Sequence, residues 1–106
     1  MHNNSRRSRY GAVTSAFRWL DDGYIMVWFS LGFVVVISTR PTEIGQEQFC
    51  ARFHDELRDA AYCAEVGKVA SVGDGCLKII DVHTWTVRAA CGACGAATRS
   101  DVSPYA

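Results

Sequence analysis

The residues best suited to metal or redox chemistry are two cysteines late in the chain, Cys91 and Cys94. A C-x-x-C pair can bind zinc or carry out thiol redox chemistry. A structural zinc site needs four ligands, usually from a second C-x-x-C or a pair of histidines. No second pair follows in these 106 residues, and the nearest histidine is His83. We therefore interpret the pair as an accident of a stretch rich in small residues, and expect no metal and no cofactor.

Three other groups have residue types that are used in catalysis or phosphate binding. His54-Asp55-Glu56 could act in acid–base or metal chemistry, but at a strand edge it is better explained as a turn with a hydrogen-bonded histidine. Ser71 lacks the G-x-S-x-G context of a catalytic serine. Gly73-Asp74-Gly75 is not followed by the Lys-Ser/Thr of a phosphate loop. The sequence therefore predicts no enzyme and no small-molecule substrate.

Composition bounds the class of protein further. The 11 basic and 11 acidic side chains balance, so charge gives no argument for binding nucleic acid or an acidic membrane surface. Hydrophobic residues make up 49% of the chain, enough for the core of one small domain. The basic residues 6–9 lie too far from the apolar run to form a secretory signal. We expect reduced, cytosolic thiols, with Cys50, Cys63 and Cys76 as small buried residues in strands.

The elements that position these side chains begin with the longest apolar run, residues 24–38. It is about 15 residues long, whereas a membrane-spanning helix needs about 20, and it contains Ser30 and Gly32. Its Val, Ile and aromatic residues favour strands. A short turn containing glycine then predicts a hairpin of Tyr24–Phe29 and residues 33–39. The alternative is a small membrane-associated protein that residues 24–38 anchor.

The pattern of this hairpin occurs twice in the chain. Gly23 and Gly67 each end an acidic turn, about 44 residues apart, and Gly32 and Gly75 each lie in a tight turn. A fourth strand is predicted between the two copies, at residues 46–52. A period of about 40–45 residues with four strands per unit is typical of WD-repeat proteins. The sequence predicts an all-β fold of antiparallel strands from a WD40-type β-propeller, about one and a half blades of a partial propeller.

The second copy resembles the end of a WD repeat in its turn and its last strand. Asp-Gly supports a tight hairpin because both positions tolerate positive φ, although this turn is one residue shorter than the common form. Leu77-Lys78-Ile79 alternates between two faces of a strand. Asp81 matches the aspartate of the Trp-Asp pair, with Ile80 in place of the tryptophan. The resemblance assigns structural WD-repeat positions to six residues: His54, Ser71, Asp74, Gly75, Lys78 and Asp81.

Two short sequence segments in the first copy are not required by a generic WD repeat and are therefore more specific. They are Val-Val-Ile-Ser-Thr at residues 35–39 and Glu-Ile-Gly-Gln-Glu at residues 43–47. With their neighbours over about residues 19–82, they resemble a WD-repeat subunit of intraflagellar transport complex A. That family's proteins are far longer, so the resemblance implies a fragment.

The resemblance also implies a function. The chain is expected to be a non-catalytic scaffold that acts in retrograde ciliary or flagellar transport and in the entry of membrane cargo into cilia. Its implied partners are the other subunits of the complex, without nucleic acid and without a direct membrane span. The implied location is the cilium or flagellum, the ciliary base and the cytoplasm.

Both ends of the chain depart from the repeat. Residues 1–10 are predicted to be a disordered basic tail, residues 11–87 the partial WD-repeat β-propeller segment, and residues 88–106 a disordered low-complexity tail. A repeat needs neighbours to bury its faces, and edge strands rich in Val and Ile tend to aggregate. The purified chain is therefore predicted to be unstable or oligomeric.

Overall fold

The structure is a computed structural model that describes residues 9–19 and 23–92. These residues form two antiparallel four-stranded sheets, each with its strands in chain order. The chain divides into two compact units, residues 1–57 and 58–106. The predicted all-β class is confirmed.

The first sheet contains the hairpin predicted from the apolar run. Its strands are β1 (Val13–Trp19), β2 (Tyr24–Phe29), β3 (Phe33–Ser38) and β4 (Glu47–Arg52), with a 3₁₀ turn at Pro41–Glu43. Strands β2 and β3 pair antiparallel from Tyr24 opposite Ser38 to Trp28 opposite Val34. The turn at residues 30–32 and the fourth strand both lie where the sequence predicts them.

The apolar run is continuous because both faces of these two strands carry buried side chains. Met26, Trp28 and Val34 are fully buried, and the cross-strand pair of Val27 and Val35 is buried as well. A strand that is buried on both faces has a continuous hydrophobic sequence instead of an alternating one. No helix among the described residues is long and apolar enough to cross a membrane.

The second sheet contains the predicted Asp-Gly hairpin. Its strands are β5 (Leu57–Cys63), β6 (Lys68–Gly73), β7 (Cys76–Asp81) and β8 (Thr86–Gly92). The last residues of β6 and the first of β7, Gly73 and Cys76, are paired. Between them Asp74 has φ 57° and Gly75 has φ 71°. Positive φ at both central residues is the requirement of a type I′ turn, which matches the twist of the flanking strands.

The ordered segment extends beyond the predicted boundaries at both ends. Strand β8 continues to Gly92, five residues past the boundary predicted at residue 87, because these small residues pair with β7 as far as Cys76 opposite Gly92. This strand completes the second sheet, so the structure has two four-stranded sheets where the sequence predicts about one and a half blades. At the other end Tyr10, assigned to the disordered tail, is buried. Residues 1–8 and 93–106, which include Cys94, lie outside the described residues.

The prediction that three cysteines are reduced and buried in strands is right about burial for one of them, Cys76. It is wrong about the redox state of Cys76, which is disulfide-bonded. Cys76 is buried at the start of β7, whereas Cys50 and Cys63 are exposed. All three lie in strands, as predicted. Cys50 is in β4 and Cys63 in β5, and each of these strands is at an edge of its sheet. An edge strand has a neighbour on one side only, which leaves more of its side chains exposed.

Candidate functional site

The six predicted WD-repeat positions are divided between the two units. His54 belongs to the first unit and the other five to the second. His54 lies in the connection between β4 and β5 and is only 4% exposed. Ser71 is fully buried in β6 and lies opposite Lys78 of β7, so this pair is brought together by the register of the hairpin. Asp74 and Gly75 form the turn of the same hairpin. The assignment of all six residues to WD-repeat positions stays a prediction.

The sixth position, Asp81, organises the turn between β7 and β8. Its Oδ1 accepts hydrogen bonds from the backbone N–H groups of His83, at 2.7 Å, and Thr84, at 3.3 Å. Its Oδ2 lies 3.8 Å from Nζ of Lys68. The bond from His83 is the main cause that lowers the pKa of Asp81, with smaller contributions from Thr84 and Lys68. Because an aspartate that bonds to nearby backbone amides stabilises a turn, this carboxylate has a structural task.

Ser38 occupies the same place in the first sheet. It is the last residue of β3, as Asp81 is of β7, and its Oγ accepts a hydrogen bond from the backbone N–H of Arg40 at 3.1 Å. Both side chains therefore bond to the amide two residues further on. The Ser38 hydroxyl also donates to Oε2 of Glu43 at 3.0 Å. A serine and an aspartate thus cap equivalent turns.

A backbone hydrogen bond also occurs at equivalent places in the two sheets. The N–H of Thr39 donates to the carbonyl oxygen of Gly23 at 3.0 Å, and the N–H of Val82 donates to that of Gly67 at 3.0 Å. Each bond joins the residue after the third strand to the glycine before the second strand of its sheet. The repeat found in the sequence is therefore also a repeat of hydrogen bonds.

Tyr10 is a structural residue that the sequence analysis missed. Its ring centroid lies 5.1 Å from those of both Phe29 and Phe33, and its hydroxyl donates to the carboxylate of Glu47 at 3.1 and 3.2 Å. Burial, followed by the neighbouring Cys50 and Glu47, raises the pKa of Tyr10 to about 12. One signal could have found it, since Tyr10 is the single Phe, Trp or Tyr among residues 1–16.

Arg52 is the second missed residue. Its Nε donates to the carbonyl oxygens of Leu31, at 2.8 Å, and His54, at 3.0 Å, while Nη2 donates to that of Asp55 at 3.3 Å. The guanidinium carbon lies 4.9 Å from the ring centroid of Phe33. Because the acceptors are backbone carbonyls, no pattern of side chains in the sequence could have indicated this role.

Apart from Ser71, the polar groups considered for chemistry lie at turns and strand ends. His83 is exposed in the turn between β7 and β8, and Cys91 is exposed near the end of β8. His54-Asp55-Glu56 forms the connection between β4 and β5. Within residues 9–19 and 23–92, no three His, Cys, Asp or Glu side chains group as a metal site would require.

The comparisons with known proteins decide the family. The model of the family described as the WDR19 first beta-propeller matches residues 5–101. The chain belongs to this family. The predicted WD-repeat resemblance is therefore confirmed, and the two sheets are blades of a partial, unclosed WD β-propeller.

Three WDR19-family relatives show how much of such a protein the chain covers. WD repeat-containing protein 19 of Homo sapiens is 49% identical over 67 residues, which is 62% of this chain and 5% of that protein. The Mus musculus protein is 45% identical over 74 residues, 69% of this chain and 5% of that protein. WD repeat-containing protein dyf-2 of Caenorhabditis elegans is 31% identical over 81 residues, 76% of this chain and 6% of that protein. The chain thus spans about a twentieth of the length of these curated relatives.

Proposed function

We propose that the chain is a non-catalytic WD-repeat scaffold that belongs to a subunit of intraflagellar transport complex A. In this role it binds other subunits of the complex and acts in retrograde ciliary or flagellar transport and in the entry of membrane cargo. It resides in the cilium or flagellum, at the ciliary base and in the cytoplasm. The observation that carries the proposal is the family match over residues 5–101, which covers both sheets.

The tasks of the polar side chains support a scaffold. The carboxylate of Asp81 accepts two backbone hydrogen bonds, and the guanidinium of Arg52 donates to three backbone carbonyls. Groups that are engaged in this way stabilise loops on a sheet framework. Loops held by a rigid framework are where binding residues of proteins concentrate. We therefore propose that the chain works through the surfaces of its loops.

The alternative, a membrane anchor formed by residues 24–38, receives no support from the fold. These residues form β2, a short turn and β3, and Met26, Trp28 and Val34 within them are fully buried. Inserting them into a bilayer would require the hairpin and its buried side chains to come apart.

Expression of the tagged 106-residue chain in ciliated cells tests the proposal. We expect the tag at the ciliary base and in the cilium, and we expect the other complex A subunits to be recovered with it. A matched control is the chain with Gly32→Ala, which would overlap the backbone of His54 and should lose both signals. If the tag stays in the membrane fraction after extraction with high salt, the membrane alternative holds and the proposal is wrong.

A further inference from the structure

The loop between β3 and β4, residues 39–46, is longer than a turn at this place in the repeat needs to be. We refer to it as the β3–β4 loop. The equivalent connection between β7 and β8, residues 82–85, is about half as long, yet it joins strands of the same order and direction. The extra residues include most of the sequence segment at residues 43–47, which a generic WD repeat does not require.

Hydrogen bonds hold the β3–β4 loop in one conformation. The buried Ser38 donates its hydroxyl to Glu43, and its carbonyl oxygen accepts the N–H of Gly45 at 2.8 Å. The N–H of Glu43 donates to the carbonyl oxygen of Arg40 at 3.0 Å, and the N–H of Gln46 donates to that of Glu43 at 3.1 Å. A loop that is ordered before binding loses less conformational entropy when it meets a partner.

The side chain that this braced loop presents is apolar. Ile44 is 70% exposed, the largest exposed fraction among the large hydrophobic residues of the described chain. The next residue, Gly45, has φ 83°, and a Cβ added there would meet no atom within 4 Å. The space on the Cβ side of Gly45, next to Ile44, is therefore open. Burying the Ile44 side chain against a partner would remove its apolar surface from water, which favours binding.

The β3–β4 loop carries one charged side chain of each sign, Arg40 and Glu43. Arg40 is exposed, and its guanidinium carbon lies 5.3 Å from the ring centroid of Tyr24. The nearest acidic side chain in the loop, Glu43, accepts the hydroxyl of Ser38. An exposed isoleucine and an exposed guanidinium in the same loop are complementary to a partner with an apolar pocket and an acidic side chain near it. Arginine and desolvated apolar anchors are frequent at the energetic centres of protein interfaces.

We propose that the β3–β4 loop is a partner-binding loop in which Ile44 is the anchor and Arg40 the charged contact. The occupant is another protein of complex A, with an apolar pocket for Ile44 and an acidic side chain at its rim for Arg40. This inference rests on the proposed function, because it takes the partner from that complex.

The test uses biolayer interferometry to measure binding of the purified chain to the other purified complex A subunits. We expect Ile44→Asp to weaken binding by at least about thirtyfold, as for truncation of an interface hot spot. Arg40→Glu should weaken it less and should reduce its dependence on salt. The matched control is Val66→Asp, which places the same charge at another exposed apolar residue, 59% exposed, and should bind as the wild type does.

The possible outcomes distinguish failure of the inference about the β3–β4 loop from failure of the proposed function. If the wild type, Val66→Asp and Ile44→Asp all bind equally, the β3–β4 loop is not the contact, while the scaffold function stands. If Ile44→Asp and Val66→Asp weaken binding equally, the effect is one of charge and the anchor role is overturned. If the wild-type chain binds none of the subunits, both the inference and the proposed function fail. Circular dichroism of each variant checks that the sheets remain folded.

Discussion

The Nε of Arg52 donates a hydrogen bond to the carbonyl oxygen of Leu31 at 2.8 Å, across 21 residues of sequence. Leu31 lies in the turn between β2 and β3, and Arg52 is the last residue of β4. The same Nε donates to the carbonyl oxygen of His54. One guanidinium thus joins the turn of the apolar hairpin to the connection that leads into the next repeat.

Replacing Arg52 by methionine should destabilise the first sheet. Methionine keeps an aliphatic side chain of similar length, but the guanidinium over the ring of Phe33 is lost and three backbone carbonyls lose their donor. Because Arg52 is exposed and water can replace part of these bonds, we expect a loss of about 1 kcal/mol in the free energy of unfolding. Urea unfolding followed by tryptophan fluorescence measures it. The control is Arg58→Met, an exposed arginine in β5; equal losses in both variants would contradict the role of Arg52.

Two glycines with positive φ should respond differently to alanine. Gly32 has φ 89° and Gly45 has φ 83°, so either substitution has a conformational cost of about 1–2 kcal/mol. At Gly32 the added Cβ would also overlap the backbone of His54, whereas at Gly45 it would meet nothing. We expect Gly45→Ala to lower the unfolding temperature by a few degrees. Gly32→Ala should lower it by much more, and similar melting curves for the two variants would refute the close approach at His54.

Asp81 should make the second sheet sensitive to acid. Its pKa is lowered in the folded chain, chiefly by the hydrogen bond from His83. The carboxylate therefore contributes stability above its ordinary pKa of about 3.9, and this is lost as the pH falls through the lower folded value. Asp81→Asn should be less stable than the wild type at pH 7, and the difference should be smaller at about pH 3, below the ordinary pKa.

Urea midpoints at both pH values measure the effect of Asp81. Lys68→Met is the companion variant, and its effect should be smaller because Lys68 is a lesser cause of the lowered pKa than the bonds from His83 and Thr84. A difference between the wild type and Asp81→Asn that is the same at both pH values would show that the carboxylate charge plays no part.

Tyr10 should contribute to stability in two separable ways. Removal of the ring in Tyr10→Ala should cost about 2–4 kcal/mol, because the contacts with Phe29 and Phe33 are lost. Tyr10→Phe keeps the ring and loses the bond to Glu47, at a cost of about 1 kcal/mol.

The two Tyr10 variants also differ in their dependence on pH. Since the pKa of Tyr10 is raised to about 12, the protonated phenol favours the folded state below about pH 10, and this contribution is lost as the pH rises towards 12. The stability difference between the wild type and Tyr10→Phe should therefore shrink between pH 8 and pH 11. A difference that stays constant over this range would mean that the phenol is not buried as the structure has it.

Local patterns were sufficient to predict the strands and turns near the middle of each repeat. The Asp74-Gly75 turn follows from the tolerance of both residues for positive φ, and the hairpin of β2 and β3 follows from its β-branched and aromatic residues. The ends were less predictable. Residues 88–92 read as low complexity, since a run of small residues has no pattern of its own until a partner strand pairs with it.

The sequence by itself determined the fold class, the period of the repeat and the turn residues, because each of these depends on the conformational preferences of neighbouring residues. Only the tertiary structure decided which distant residues each side chain contacts and which side chains stay exposed. It buried Tyr10 on two phenylalanines, directed Arg52 to backbone carbonyls and left Ile44 exposed on a braced loop. These relationships join residues that are far apart in the chain, so they depend on strand pairing and close approach and leave no local pattern to read.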